Sequence, residues 1–126
     1  MSQKSPIAMK DFSYTSKDRV VFTREQLSIP GIEMFGQHVI KSALPPLDPH
    51  YHLNCFEITI LLEGSLTFEA DHQNYSLIGG DLFLTFPNEI HSTNMFPMAK
   101  SNIIWFQIDA TDCENLLFLD DNTSQA

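Results

Sequence analysis

The chain has 126 residues, 43% of them hydrophobic and 18% charged, with a formal net charge of −9, which is enough for one globular domain with its own core and no need of disulfides or a structural metal. Six of its seven Lys and Arg residues lie in the first 41 positions, and from Ser42 onward only Lys100 is basic against twelve acidic residues. Nucleic-acid affinity is drawn mainly from cationic contacts with phosphates, so this composition argues against a chain that holds DNA or RNA by itself and for an acidic, solvated surface.

The N-terminal stretch MSQKSPIAMKDFSYTSKD is polar and without periodicity. It is no secretory leader and reads as an arm, residues 1–18, loosely ordered unless Phe12 and Tyr14 fold over a ligand. RVVF predicts a short strand and GIEMFGQHVIKS a longer one, since β-branched and aromatic residues alternate there with polar ones. LPPLDP has three prolines in six residues, which a sheet ladder does not accept, so it is a loop. CFEITILLEG and SLTFEA read as two strands with a turn or bulge at Gly64 between them. DHQN is a hairpin turn leading to YSLI, and Gly79-Gly80-Asp81 turns the chain into DLFLTF. PNEIHSTN is an irregular connection, and KSNIIWFQID is the last strong strand. ENLLFLDD is a short helix or strand, and residues 120–126 are a frayed tail or truncated linker. Six to nine short strands with no convincing amphipathic helix define an all-β sandwich or barrel over residues 19–119. No apolar run nears the roughly 20 residues of a membrane helix, so no membrane partner and a cytoplasmic location are expected.

His50 and His52 are two apart on an extended segment and so point to one face. Neutral imidazole is the commonest ligand of first-row metals, and an added carboxylate is typical of catalytic sites. Glu57 follows His52 at an odd spacing, which places it on the other face of a regular strand; it joins the histidines only if the chain bends near Leu53-Asn54-Cys55. His91 comes from a later segment. Spacing alone leaves a second reading open, two hydrogen-bonded or exposed histidines. Cys55 and Cys113 fit no metal or redox spacing and read as reduced structural residues, with a pocket-facing Cys55 thiol as the functional alternative. His38 reads as a partly exposed strand residue and His72 as solvated. Trp105 and Gln107 share a face of the IIWFQID strand. Trp105 is either plain core or a stacking wall for a flat ligand with Gln107 as hydrogen-bonding partner.

The frame around these residues resembles the cupin superfamily. Its first motif runs glycine, five residues, His-x-His, three or four residues, Glu, six residues, glycine; here His50-Tyr51-His52 is followed after four residues by Glu57 and after six more by Gly64, with Leu44 in place of the leading glycine. In the second motif Gly80 and His91 fall in register, while Phe86, Asn88 and Met95 stand where proline, glycine and asparagine are usual, and Pro87 is displaced by one. Fifteen residues separate Gly64 from Gly80, as in bacterial cupins. The resemblance implies a jelly-roll barrel (double-stranded β-helix) with His50, His52, Glu57 and His91 converging at its centre, which supplies the required bend.

More narrowly, the order of H-x-H, Glu, hydrophobic strand, Gly-Asp turn, His-Ser and a late aromatic strand ending in Asp is similar to the N-terminal effector-binding domain of AraC-type transcription regulators. In that family a helix-turn-helix domain follows, which this chain lacks, and the spacing from His52 to Glu57 is one longer than usual there. The resemblance implies a small-molecule sensor for a sugar-like or polar metabolite, bound by His50, His52, Glu57, His91, Trp105 and Gln107, in a homodimer that reaches DNA only through a further domain. The other reading is a free-standing cupin isomerase or dioxygenase with a zinc, iron, manganese or nickel ion on the three histidines and Glu57.

Overall fold

The computed structural model describes residues 5–8, 15–111 and 117. Phe12, Tyr14, Cys113 and, apart from Leu117, the ENLLFLDD segment lie outside them. Nine strands are present among the described residues: β1 (Ile7–Ala8), β2 (Arg19–Thr23), β3 (Ile32–Ile40), β4 (His50–Tyr51), β5 (Cys55–Ala70), β6 (Gln73–Ile78), β7 (Leu82–Thr85), β8 (His91–Ser92) and β9 (Ser101–Asp109). The expected all-β barrel is what the chain forms, and no helix among the described residues is long and apolar enough to cross a membrane.

One element was not anticipated. A single helical turn, α1 (Arg24–Leu27), sits between β2 and β3, started by Thr23, whose backbone N–H donates to Gln26 Oε1 at 2.8 Å, and stopped by Ser28 in the left-handed region at φ 53°. Such a capping arrangement satisfies amide groups that a helix start leaves open.

The two strands expected on either side of Gly64 are one 16-residue strand with a bend in it. Before the bend, β5 pairs with β9 and β7; after it, with β6 and β8. The register against β9 slips between Leu61 and Glu63, and Gly64 follows at φ +91° with Lys100 O only 2.4 Å from where a Cβ would stand. Only glycine fits both the dihedral and the close approach. The strand thereby passes from one sheet to the other and closes the barrel, and the DHQN hairpin beyond it turns on Asp71 and His72, both at positive φ, the conformation of a two-residue type I′ turn.

One wall is the sheet β2-β3-β9-β5-β7, whose registers stack inward-facing residues in rows. Arg19 pairs with His38, His38 with Ile103 and Ile103 with Leu61. The next inward row is Val21, Gly36, Trp105, Thr59 and Phe83, and the third is Thr23, Met34, Gln107, Glu57 and Thr85. Leu61 is fully buried, and Phe68 stacks on Phe83 with ring centroids 4.8 Å apart; each such side chain stabilises the fold by about 1.5–3 kcal/mol through area removed from water. On the outer face of the same sheet Val20, Phe22, Leu82 and Leu84 are exposed.

Candidate functional site

The bend required near Leu53-Asn54-Cys55 exists and is a turn, not a bulge. Asn54 adopts φ 59°, the Cys55 N–H donates to His52 O, and β5 starts afresh with Glu57 facing the interior. A second segment clamps this turn. Asn88 accepts the Asn54 N–H on its side-chain oxygen at 3.0 Å and donates its own N–H to His52 O at 3.1 Å. Asn88 sits at φ 65° where the cupin pattern has glycine, and asparagine is the side chain that best tolerates that region. The degenerate second motif is thus conformationally intact at this position.

The four residues meet. His50, His52 and His91 are each about 5% exposed or less, and their ligand-capable nitrogens lie within 4.8 Å of one another. His50 sits directly opposite His91 in the β4–β8 pairing. The His50 Nδ1–H donates to Asp48 O at 2.7 Å and the His91 Nδ1–H to Glu89 O at 3.0 Å. Those bonds fix the tautomer that leaves both Nε2 lone pairs directed inward, the usual support of metal-bound histidine. Glu57 reaches the same point, its two oxygens 2.9 Å from His52 Nε2 and 3.3 Å from His91 Nε2. His91 Nε2 is fully buried and makes no hydrogen bond. Gln107 completes the cluster by donating to Glu57 Oε2 at 3.0 Å, and its amide nitrogen lies 3.3 Å from His52 Nδ1.

Electrostatics separates the members of the cluster. Burial pushes the His50 pKa down to about 4, helped by the neighbouring His91 and opposed by its bond to Asp48. For Glu57, burial acts to raise the carboxyl, but the adjoining His52 and His91 imidazoles outweigh it and hold the group well below the usual carboxylate range. A neutral His50 imidazole beside an ionised Glu57 carboxylate is the protonation pattern that suits a divalent cation. The residues present fit a transition metal: metal–nitrogen bonds of about 2.0–2.1 Å bring ligand atoms about 3–4 Å apart, a small contraction of the spacing found.

The cluster closes one end of a cavity of about 450 Å³, within the range of small-molecule sites. His50, His52, Glu57, Thr59 and Gln107 line it on one side, and Met34, Leu44, Phe68, Met98 and Trp105 supply most of the apolar wall. Trp105 is both core and wall. It belongs to the buried cluster, donates Nε1–H to Met34 Sδ at 3.3 Å and borders the cavity. Its ring has room because its partner across the ladder is Gly36, where a Cβ would stand 2.4 Å from the indole.

His38 is the partly exposed strand residue that was expected, on β3, and it also lines the cavity; burial followed by the charge of Arg19 lowers its pKa. Arg19, read only as part of a short strand, is 7% exposed, lines the cavity, and lies with its guanidinium carbon 5.0 Å from the Trp105 ring centre. Of the remaining candidates, His72 is exposed in its turn. Cys55 is a buried free thiol outside the cavity lining, and burial raises its pKa to about 11, which keeps it protonated and unreactive.

Two sheets joined through one bent strand, with a His-x-His and Glu cluster inside, are the cupin architecture. Solved structures with this fold include a cupin protein from Bacteroides fragilis (18% identity, TM-score 0.61, covering 82% of this chain and 87% of that one). A predicted oxalate decarboxylase from Thermotoga maritima (21% identity, TM-score 0.54, 71% and 79%) and KdgF from Halomonas sp. (18% identity, TM-score 0.51, 75% and 79%) share it. Within this class the chain belongs to the AraC-like ligand binding domain family, whose model matches residues 45–109. No curated protein matches the chain in sequence.

Proposed function

We propose that this domain is the effector-sensing module of an AraC-type transcription regulator, cytoplasmic and dimeric, with DNA reached through a domain that this sequence does not contain. The observation that carries the reading is the family membership together with a cavity of small-molecule size lined by His50, His52, Glu57, Thr59, Trp105 and Gln107; His91 stands behind that lining. Control by a ligand requires that it bind two states of the protein with different affinity. β1 is the candidate moving part: Ile7 and Ala8 pair in parallel with His50 and Tyr51, so a change at the histidine cluster bears directly on that strand. The exposed outer residues Val20, Phe22, Leu82 and Leu84 support pairing with a second copy. The test is a thermal-melt screen of the domain against metabolites, combined with the reading frame of the parent gene. Stabilisation by one compound class and a downstream DNA-binding region support the sensor; no stabilisation and no such region remove it.

The three histidines with Glu57 favour a second reading, a metal-dependent cupin. His50, His52, Glu57 and His91 would hold the ion, which would supply Lewis-acid or oxygen-activating chemistry. Gln107 would keep the Glu57 carboxylate aimed inward and Trp105 would wall off water. No further carboxylate or amine among the described lining residues is placed as a base, which is why the sensor leads. Metal content of untagged protein, by inductively coupled plasma mass spectrometry, decides whether an ion is resident.

A further inference from the structure

We propose that Gln107 is a positioning residue that sets the tautomer of His52 opposite to that of His50 and His91, so that His52 ligates a cation only after the Gln107 amide turns over. The consequence for a cation rests on the metal-binding reading of the cluster; the tautomer does not. His50 and His91 each place Nδ1 against a backbone carbonyl, of Asp48 at 2.7 Å and of Glu89 at 3.0 Å. A carbonyl oxygen only accepts, so both rings carry a proton on Nδ1. His52 instead places Nδ1 against a side-chain amide, 3.3 Å from Gln107 Nε2.

An amide can present oxygen or nitrogen, and here Glu57 decides which. Its carboxylate, held ionised by the adjoining imidazoles, only accepts, and it lies 3.0 Å from the same Gln107 atom. The other orientation would set the amide oxygen against a carboxylate oxygen, so the nitrogen faces Glu57. An NH2 group has two hydrogens: one goes to Glu57 Oε2 and the other to His52 Nδ1, which therefore accepts. The His52 proton is then on Nε2, 2.9 Å from Glu57 Oε2. Although Nε2 makes no hydrogen bond, an N–H beside a carboxylate is attracted to it, whereas a proton on Nδ1 would set donor against donor. Gln107 is 4% exposed and stands between Met34 and Glu57 in the ladder, so the movement open to it in a packed wall is a half-turn of the amide. A metal-bound histidine donates its other ring N–H to an acceptor. Ligation through His52 Nε2 thus requires a proton on Nδ1 and Gln107 Oε1 turned to receive it, with the bond to Glu57 given up. His50 and His91 need no such change, and the third imidazole is gated by Gln107.

The test is long-range proton–nitrogen correlation NMR on metal-stripped protein with isotope-labelled histidine, in which protonated and unprotonated ring nitrogens resolve. His50→Gln, His52→Gln and His91→Gln assign the rings. His50 and His91 should be protonated on Nδ1 and His52 on Nε2. One equivalent of zinc should move the His52 proton to Nδ1 and leave the other two tautomers as they were. Gln107→Leu, checked as folded by circular dichroism, should shift the His52 nitrogens toward a mixture of both tautomers, with His50 and His91 unmoved; if that variant does not fold, the tautomers of the unaltered chain decide. An Nδ1 proton on His52 in metal-stripped protein, or a His52 signature that Gln107→Leu leaves unchanged, overturns the proposal. Zinc that leaves all three rings unmoved removes the metal reading and the gate with it, a failure distinct from a wrong tautomer.

Discussion

At one end of the cavity, three histidines and a glutamate converge from strands joined by turns a few residues long, and each member is held by a second group: Asp48 O, Glu89 O, Gln107 or the Asn88 clamp. At the other end a single arginine is brought inside by the pairing of β2 with β3 and braced by one aromatic ring. The first end is a set of close-set imidazoles and a carboxylate whose donor atoms suit a divalent cation. The second is a fixed charge with no proton to lose.

The largest separation between the ends is expected in metal uptake. Replacing His50 and His91 together by alanine should take bound transition metal from about one equivalent per chain to near zero, while Arg19→Gln leaves the stoichiometry unchanged; metal retained by the double variant breaks the assignment of the histidine end. The pH dependence of stability comes next. Folded His50 refuses a proton until about pH 4, whereas an unfolded histidine takes one up near 6.5. Stability that is complete above pH 6.5 is therefore lost as the pH falls toward 4, by up to about 3 kcal/mol. Metal-free protein melted in urea across that range should show this loss and His50→Gln should flatten it, and a loss that Arg19→Gln flattens equally means the two ends do not titrate separately.

The wall between the ends is tested by Gly36→Ala, whose new Cβ must displace the Trp105 ring. Overpacking of this kind costs about 1–3 kcal/mol, read as a lower melting temperature, and an unchanged melt shows that the ring does not lean on Gly36. The smallest effect is a control. Arg24 pairs with Glu33 at 3.3 Å and with Asp109 at 3.5 Å, and pairs at the surface contribute about 0–1 kcal/mol each; Arg24→Gln should lower the melting temperature only slightly and leave metal stoichiometry unchanged.

The histidine end was largely legible in the sequence because its geometry is local. Two histidines on one extended segment, a compulsory turn and a glutamate at fixed spacing are all set within eight residues, and Asn88 keeps the glycine's dihedral while hiding the glycine's letter. The bend at Gly64 was legible too, although the two flanking strands are one. The arginine end was not legible, since its alternation pattern misleads. In RVVFT the apolar residues Val20 and Phe22 face outward, while Arg19 and Val21 face in. Hydrophobicity alone assigns the opposite parity, and the register with β3 overrides it. The pairing of Gly36 with Trp105 is a contact across 69 positions of sequence that no local pattern announces.

Trp105 is the only tryptophan in the chain, and it stands between the two ends, under the Arg19 guanidinium and beside Met34. The protein therefore carries an intrinsic fluorophore at the one place where occupancy of the cavity changes polarity, neighbouring charge and collisional quenching together. Its ultraviolet emission is a label-free optical gauge of that cavity, usable in crude titrations before any ligand has been identified.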